Sequence, residues 1–215
     1  MIIAEFITVI ILGYLLGSIP SGVLVGRRMA GVDVRQHGSG RTGTTNILRT
    51  AGKKAAVIAA GLDILKGVLA VAFAGWIVGT NALLIGGFSL GMPAAKVLAA
   101  LAAIVGHIWP VFLRFRGGRG VATFFGALVT LHPVTAVISF VVLVTGAGLT
   151  RYVSVGSISA VIAACIMLLA LTVFGGIPVE YPVFGLVSAV LIIVTHRDNI
   201  TRLITGKERK IGKRV

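Results

Sequence analysis

The chain has 215 residues, of which 57% are hydrophobic and 12% charged, and its 20 Lys and Arg residues outnumber its 6 Asp and Glu residues. About a quarter of the residues in a typical soluble domain are charged, so this composition excludes an ordinary water-soluble protein. The positive residues form clusters between apolar stretches, which is typical of membrane-protein loops and argues against a nucleic-acid-binding surface.

Apolar stretches long enough to cross a bilayer lie at residues 2–25, 55–79, 94–113 and 153–174. The first has no basic segment before it and no cleavage site after it, so we expect a retained span rather than a cleaved signal peptide. The stretch at residues 183–195 is shorter than the roughly 20 residues that a span requires, and it must use flanking residues.

Residues 121–148 form either one long span or two helices that separate at His132–Pro133, because proline disfavours helix at the residue before it. The positive-inside rule places the three basic clusters, at residues 27–54, 114–119 and after 196, in the cytoplasm. The tail returns to the cytoplasm only if residues 121–148 count as two helices, and the first of these, residues 121–131, is too short to cross alone.

The sequence therefore predicts an all-α integral membrane protein that forms a single domain over residues 1–215. We expect about seven transmembrane helices, one of them incomplete and placed after the second glycine-rich loop. The N-terminus is predicted outside and the C-terminus in the cytoplasm.

The first basic loop is rich in glycine and in small hydrogen-bond donors. Gly38, Gly40 and Gly43 match G-x-G-x-x-G, but no strand–helix–strand unit surrounds them, and Thr44 stands where a P-loop requires lysine. Closely spaced glycines still allow backbone N–H groups to converge on an anion. Further donors for a phosphate group are Ser39, Thr44, Thr45, Asn46 and Arg49. The alternative is a flexible loop that contacts lipid headgroups.

Two further clusters have similar chemistry. Arg114, Arg116 and Arg119 fall within six residues and surround Gly117 and Gly118, and guanidinium groups suit phosphate oxygens. After the last apolar stretch, His196 and Asn199 are three residues apart and share one face of a helix, which Arg202 continues.

Asp63 and Lys66 lie inside the second apolar stretch, where charged residues are costly. They are either a structural ion pair or a functional pair, and as an ion relay they would indicate a transporter. The other apolar stretches contain almost no titratable residues, which argues against the transporter.

Five segments, taken together and in order, resemble the bacterial acyl-phosphate:glycerol-3-phosphate acyltransferases, the PlsY family. They are G-S-I-P-S-G at 17–22, G-S-G-R-T-G-T-T-N at 38–46, G-H-x-W-P-V-F at 106–112, R-G-G-R-G-V-A-T at 116–123 and H-R-D-N-I-x-R-L at 196–203. Arg116 and Arg119 stand where the family often has lysine, and Arg41 stands where it often has asparagine.

The resemblance implies a multi-pass enzyme of the bacterial inner membrane, with its active site on the cytoplasmic face. It implies transfer of a fatty acyl group from acyl phosphate to the 1-hydroxyl of glycerol 3-phosphate, giving lysophosphatidic acid and phosphate. Its partners would be these two substrates and membrane lipid, with neither cofactor nor metal. The implied catalytic residues are Ser39, Arg49, His196 and Asn199. The implied substrate-binding residues are Gly38, Gly40, Gly43, Thr45, Asn46, Lys66, Arg116, Gly117, Gly118, Arg119 and Ser154, and Glu208 is expected to be structural.

The residues also restrict the mechanism. No histidine is followed by aspartate five positions later, so the H-x-x-x-x-D pair of the other glycerophosphate acyltransferase class is absent from the sequence. The single cysteine, Cys165, lies in an apolar stretch and cannot act as a nucleophile at a loop. We therefore expect no covalent enzyme nucleophile, with His196 orienting a group or a substrate phosphate taking the proton. A phosphate transporter and a membrane scaffold are the rival interpretations.

Overall fold

The computed structural model describes residues 2–85 and 88–211. The helices in chain order are α1 (Ile2–Ser18), α2 (Ser21–Ala30), α3 (Thr44–Thr50), α4 (Gly52–Val78), α5 (Met92–Ile108), α6 (Val121–Leu131), α7 (Pro133–Thr150), α8 (Val153–Gly175), α9 (Glu180–Thr195) and α10 (Arg197–Ile204). Two short antiparallel strands, β1 (Leu83–Ile85) and β2 (Phe88–Leu90), form a hairpin between α4 and α5. This hairpin is an addition to the predicted all-helical architecture.

Within the described residues, five segments are long and apolar enough to span a membrane: 2–30, 52–78, 92–113, 133–150 and 153–175. Helices α9 and α10 form a sixth if they are taken as one span with a 60° bend. The predicted first stretch is interrupted at Pro20, because proline has no N–H to continue the helical hydrogen bonds. The predicted short last stretch begins earlier, at Glu180, and so gains three residues.

The incomplete helix lies where the sequence predicts it. Helix α6 covers Val121–Leu131, which corresponds to about 16 Å of helix. It ends at His132, whose backbone is extended, as is usual for a residue that precedes proline. The His132 ring then caps α7 by accepting the N–H of Thr135 through Nδ1 at 3.3 Å. One residue thus ends one helix and begins the next.

Helix α6 is held inside the protein by close packing. A side chain at Gly67 of α4 would overlap the carbonyl of Thr123, and one at Gly126 would overlap the carbonyl of Ile64, so glycine at both positions lets the two backbones touch. On another side, the ring of Phe124 stacks on Phe184 of α9 with centroids 5.5 Å apart. These contacts keep a helix that is too short to span the bilayer away from lipid.

The helix ends fall into two groups. At one end, Asn81 donates to the carboxylate of Glu5 at 3.1 Å, beside the β hairpin. At the other end, Ser154 donates to Glu208 at 3.2 Å, and Arg41 pairs with Asp198. Thr195 at the end of α9 also donates to the carbonyl of Arg119 at 3.3 Å. The three basic clusters and the α7–α8 junction therefore lie at one end of the bundle, in agreement with counting residues 121–148 as two helices.

Candidate active site

A cavity of about 520 Å³ lies where the basic clusters meet. The loop before α3, the two residues before α6, the start of α8 and the segment from His196 to Arg209 form its polar side. Its other wall is apolar and consists of Ala60, Ile64, Val121, Ala122, Phe125, Phe140, Leu143 and Val153. The cavity is thus basic and hydrogen-bonding on one side and hydrocarbon-like on the other.

All four residues predicted to be catalytic line this cavity, although they are up to 160 positions apart in the chain: Ser39, Arg49, His196 and Asn199. Six predicted substrate-binding residues line it as well: Gly38, Gly43, Thr45, Asn46, Arg119 and Ser154. The remaining five lie outside the lining: Gly40, Lys66, Arg116, Gly117 and Gly118.

Asn46 determines the shape of the first loop. Its side chain is buried; Nδ2 lies 2.8 Å from the carbonyl oxygen of Val34 and 2.9 Å from that of Arg41, and Oδ1 accepts the N–H of Ser39 at 2.9 Å. The N–H of Gly40 donates to the carbonyl of His37. Because these N–H groups already have acceptors, the predicted cradle of consecutive free amides is wrong for Ser39 and Gly40.

The two glycines of the second loop have a packing role. The N–H of Gly117 donates to the carbonyl of Ile108, and the N–H of Gly118 donates to the carbonyl of His107, both at 3.1 Å. A side chain at Gly117 would overlap the His107 carbonyl, and one at Gly118 would overlap the His107 ring. These two amides therefore already have acceptors within the protein, and the absence of side chains at both glycines lets the loop pack closely against the end of α5. Arg116 is exposed.

Glu208 connects three elements of the site. Its carboxylate accepts from Ser154 Oγ at 3.2 Å, from Asn199 Nδ2 at 2.6 Å and from Arg202 Nε at 2.8 Å. Burial favours the protonated form, but the hydrogen bonds from Arg202 and Asn199 outweigh it and lower the pKa of Glu208. The ionised carboxylate thus fixes the start of α8, helix α10 and the tail relative to one another, as its expected structural role requires.

Three arginines of the cavity lining have no carboxylate partner within residues 2–85 and 88–211: Arg49, Arg119 and Arg209. Arg209 is exposed, whereas Arg49 and Arg119 are partly buried. Burial lowers the pKa of Arg49. Burial together with the charge of Arg41 lowers the pKa of Arg119 to about 10, so Arg119 remains protonated at neutral pH. Nε of Arg119 and Oδ1 of Asn199 are buried without a hydrogen-bond partner in the described part of the chain. Buried polar atoms are rarely left unpaired, so these two point to a polar ligand.

His196 lies at the joint between α9 and α10 and is almost completely buried. Its Nδ1 is 2.8 Å from the carbonyl oxygen of Ile192, and because a carbonyl only accepts, Nδ1 carries a proton. Burial lowers the pKa of His196 to about 4, with Arg119 and Arg41 acting in the same direction. The imidazole is therefore neutral at pH 7, and its Nε2 is an acceptor.

The structure corrects the prediction for Lys66. Its ammonium group forms an ion pair with Asp63 and lies behind that residue, outside the cavity lining. Asp63 itself borders the cavity together with His107. Sequence analysis did not predict these two residues as part of the site, because neither apolar periodicity nor spacing shows which face of α4 or α5 meets the loops.

Three arginines in the lining were also absent from the predicted site: Arg41, Arg202 and Arg209. For two of these arginines, the sequence contained a pattern that could have indicated a place in the site. Arg41 lies among the loop glycines, and Arg202 continues the face of His196 and Asn199 at helical spacing. In the described residues, no group of three His, Cys, Asp or Glu side chains is placed to hold a metal ion.

Comparison with known proteins shows the family of the chain. The family model described as glycerol-3-phosphate acyltransferase matches residues 7–206. The glycerol-3-phosphate acyltransferase 3 of Dehalococcoides mccartyi is 54% identical over 214 residues, covering 100% of this chain and 99% of the relative. The glycerol-3-phosphate acyltransferase 2 of Moorella thermoacetica is 42% identical, covering 95% of this chain and 97% of the relative.

Two solved structures have a similar fold. A crystal structure of PlsY, an integral membrane glycerol 3-phosphate acyltransferase, in its glycerol 3-phosphate form has a TM-score of 0.83 at 37% identity and covers 96% of both chains. Its lysophosphatidic acid form has a TM-score of 0.82 at the same identity, over 96% of this chain and 95% of that one. On these grounds, the chain belongs to the glycerol-3-phosphate acyltransferase family and is a multi-pass membrane acyltransferase.

Proposed function

We propose that this enzyme transfers a fatty acyl group from acyl phosphate to the 1-hydroxyl of glycerol 3-phosphate. The hydroxyl oxygen forms a bond to the acyl carbon, and the bond between that carbon and the phosphate oxygen breaks. The phosphate leaves with the bonding electrons, and the hydroxyl proton passes to a phosphate oxygen. The products are lysophosphatidic acid and inorganic phosphate, and the step is the first acylation of phospholipid synthesis.

The single observation that carries this proposal is the two-sided lining of one cavity. Both substrates have a phosphate, and the basic side offers Arg49 and Arg119 without competing carboxylates. The donor also has an alkyl chain, for which the apolar wall built by α4, α6 and α7 is suited. The solved relatives in glycerol 3-phosphate and lysophosphatidic acid forms support the same pair of substrate and product.

Acyl phosphate is already activated, so the protein mainly has to align the reactants and stabilise developing charge. In this proposal Arg49 and Arg119 bind phosphate oxygens, and Ser39, Thr45 and Ser154 provide hydroxyl groups at the cavity wall. Asn199 and neutral His196 offer acceptors, Oδ1 and Nε2, that can orient the attacking hydroxyl. No covalent intermediate on the enzyme is required.

We place the enzyme in the bacterial cytoplasmic membrane, as one domain over residues 1–215, with the cavity on the cytoplasmic side. The positive-inside rule supports this, because seven of the basic residues lie in 27–54 and three in 114–119, at the cavity end of the bundle. Soluble glycerol 3-phosphate would then enter from the cytoplasm.

The test is an assay on the purified protein in detergent or lipid. Phosphate release from a long-chain acyl phosphate is measured with and without glycerol 3-phosphate, and the lipid product is identified by mass spectrometry. We expect release that depends on glycerol 3-phosphate and equals the lysophosphatidic acid formed. Absence of that product, or transfer from an acyl thioester instead, would contradict the proposed donor.

The site assignment is tested in the same assay with Arg49→Ala and Ser39→Ala. Arg28→Ala is the matched control, because Arg28 is an exposed arginine in the last turn of α2, outside the cavity lining. We expect the two cavity variants to lose at least about tenfold in kcat/KM, as loss of a charge-assisted hydrogen bond implies, and the control to retain its activity. Full activity of both cavity variants would overturn the assignment.

A further inference from the structure

Three titratable side chains are buried together beside the cavity. Asp63, Lys66 and His107 are 1%, 4% and 6% exposed, the first two on α4 and the third near the end of α5. Asp63 Oδ1 lies 2.8 Å from Lys66 Nζ and 3.4 Å from His107 Nδ1. At these distances the carboxylate pairs with the Lys66 ammonium group and also lies beside the His107 ring.

Lys66 connects this cluster to the first loop. Its Nζ donates to the carbonyl of Ile19 at 3.2 Å, at the break between α1 and α2. Helix α2 begins directly after this break and leads to the glycine-rich loop. A side chain at Gly22 of α2 would overlap the carbonyl of Thr42, so α2 and the loop are in direct contact.

His107 connects the cluster to the second loop. One side of its ring faces Asp63, and the Nε2 side rests against the backbone of Gly118. The N–H groups of Gly117 and Gly118 are bonded to the last carbonyls of α5. The next residue is Arg119, whose guanidinium lines the cavity. The position of this arginine therefore depends on a loop that is packed against the His107 ring.

We propose that Asp63 is a positioning residue that holds Arg119 in its phosphate-binding place through His107, an inference that rests on the proposed function. The carboxylate orients the imidazole and compensates the charge of Lys66. Without that charge, an unpaired ammonium group remains beside the cavity and the support of the second loop loosens. Asp63 does not touch the reacting atoms in this proposal, so its loss weakens substrate binding more than the chemical step.

The first measurement is the effect of Asp63→Asn on KM and kcat for each substrate. We expect KM for at least one phosphate substrate to rise about tenfold or more, while kcat changes by less than about threefold. Asp63→Glu should restore most of the affinity, because it keeps the charge. Ser188→Ala is the control for a buried polar side chain outside the cavity, and it should leave KM unchanged.

The second measurement is a double-mutant cycle with Arg119→Lys, which keeps the charge but removes the planar fork. Each single variant lowers kcat/KM by some factor, and independent effects would multiply in the double variant. If Asp63 acts through Arg119, the loss of kcat/KM in the double variant is smaller than that product by at least about threefold. Multiplicative losses would overturn the proposal, as would a fall in kcat alone. Should Asp63→Asn fail to fold, the same cycle with His107→Gln is expected to show the same coupling, and multiplicative losses there count against it equally.

The two proposals can fail separately. If the wild-type enzyme makes lysophosphatidic acid only from another acyl donor, the proposed donor is wrong, and the cycle is run with that donor. If the wild type uses acyl phosphate but the cycle shows no coupling, only the role of Asp63 is wrong.

Discussion

At the scale of single residues, two arginines of one loop differ in what surrounds them. Arg116 and Arg119 flank the same glycine pair and look equivalent in the sequence. Arg116 is exposed, whereas Arg119 is mostly buried in the cavity, with Nε unpaired within the described residues. A charge at the surface is screened by water and salt, but a desolvated one interacts strongly with an anion.

This difference predicts unequal effects of the same substitution. Arg119→Ala should lower kcat/KM about ten- to a hundredfold, because a hydrogen bond between charged groups is worth about 1.5–3 kcal/mol. Arg116→Ala should lower it less than about threefold, as expected for a screened surface charge. Steady-state kinetics with varied glycerol 3-phosphate and acyl phosphate gives kcat/KM for the two variants. Equal losses of kcat/KM in Arg119→Ala and Arg116→Ala would show that the cavity does not define the phosphate site.

His196 leads to a prediction about pH. Its pKa of about 4 lies below the ordinary 6.5, so the neutral form that the site uses is present above pH 6.5 and persists until the pH falls through 4. The ratio of kcat/KM between wild type and His196→Asn should therefore stay constant between about pH 5.5 and 8. Titration of the substrate phosphates affects both enzymes equally, so its effect on kcat/KM cancels in the ratio. A step in the ratio near pH 6.5 would mean that His196 titrates like an exposed histidine.

At the scale of secondary-structure elements, the short helix α6 shapes the apolar side of the site. It begins directly after Arg119 and Gly120 of the basic side, and its residues Val121, Ala122 and Phe125 line the apolar wall. Helix α4 packs on one side of it and α7 on the other, where Phe125 meets Phe140 edge to face at 5.9 Å. The short helix α6 thus connects the loop that contains Arg119 with the apolar wall of the cavity.

A larger side chain on this flank should change the preference for acyl-chain length. Ala122→Trp is expected to lower kcat/KM for long-chain acyl phosphate about tenfold relative to a short-chain one, since overfilling a packed apolar space costs about 1–3 kcal/mol. Val129→Trp is the matched control, because Val129 lies on the same helix, is 45% exposed and does not line the cavity. Assays with both chain lengths give the ratio, and an equal ratio in both variants would exclude this flank as the acyl site.

At the scale of the whole molecule, the orientation in the membrane stays a prediction that can be tested by labelling. The β-hairpin end and the basic end lie on opposite sides of the bundle if the spans cross as predicted. In a Cys165→Ala background, a membrane-impermeant maleimide should label Thr80→Cys on intact spheroplasts. It should label Lys207→Cys only after permeabilisation; both parent side chains are exposed. The reverse pattern would invert the topology.

Sequence analysis predicted the class of the fold and the break at His132–Pro133, because both depend on local properties. Hydropathy reports the length of apolar segments, and the residue before a proline leaves the helical region whatever surrounds it. The clustering of Ser39, Arg119, Ser154 and Asn199 was predictable only through the order of the motifs and their resemblance to a family. Spacing along the chain contains no information about which loops meet at one end of a helical bundle.

Much of what positions the site was decided by the tertiary structure. The basic clusters, the sites of close helix approach and the residues able to bind phosphate can all be read from the sequence, because charge, size and donor groups belong to each residue by itself. Which arginine is desolvated, which glycine packs on His107 and which lysine is paired with Asp63 depend on neighbours that only folding brings together. The same guanidinium or amide binds a ligand or holds the scaffold according to whether a protein acceptor already occupies it.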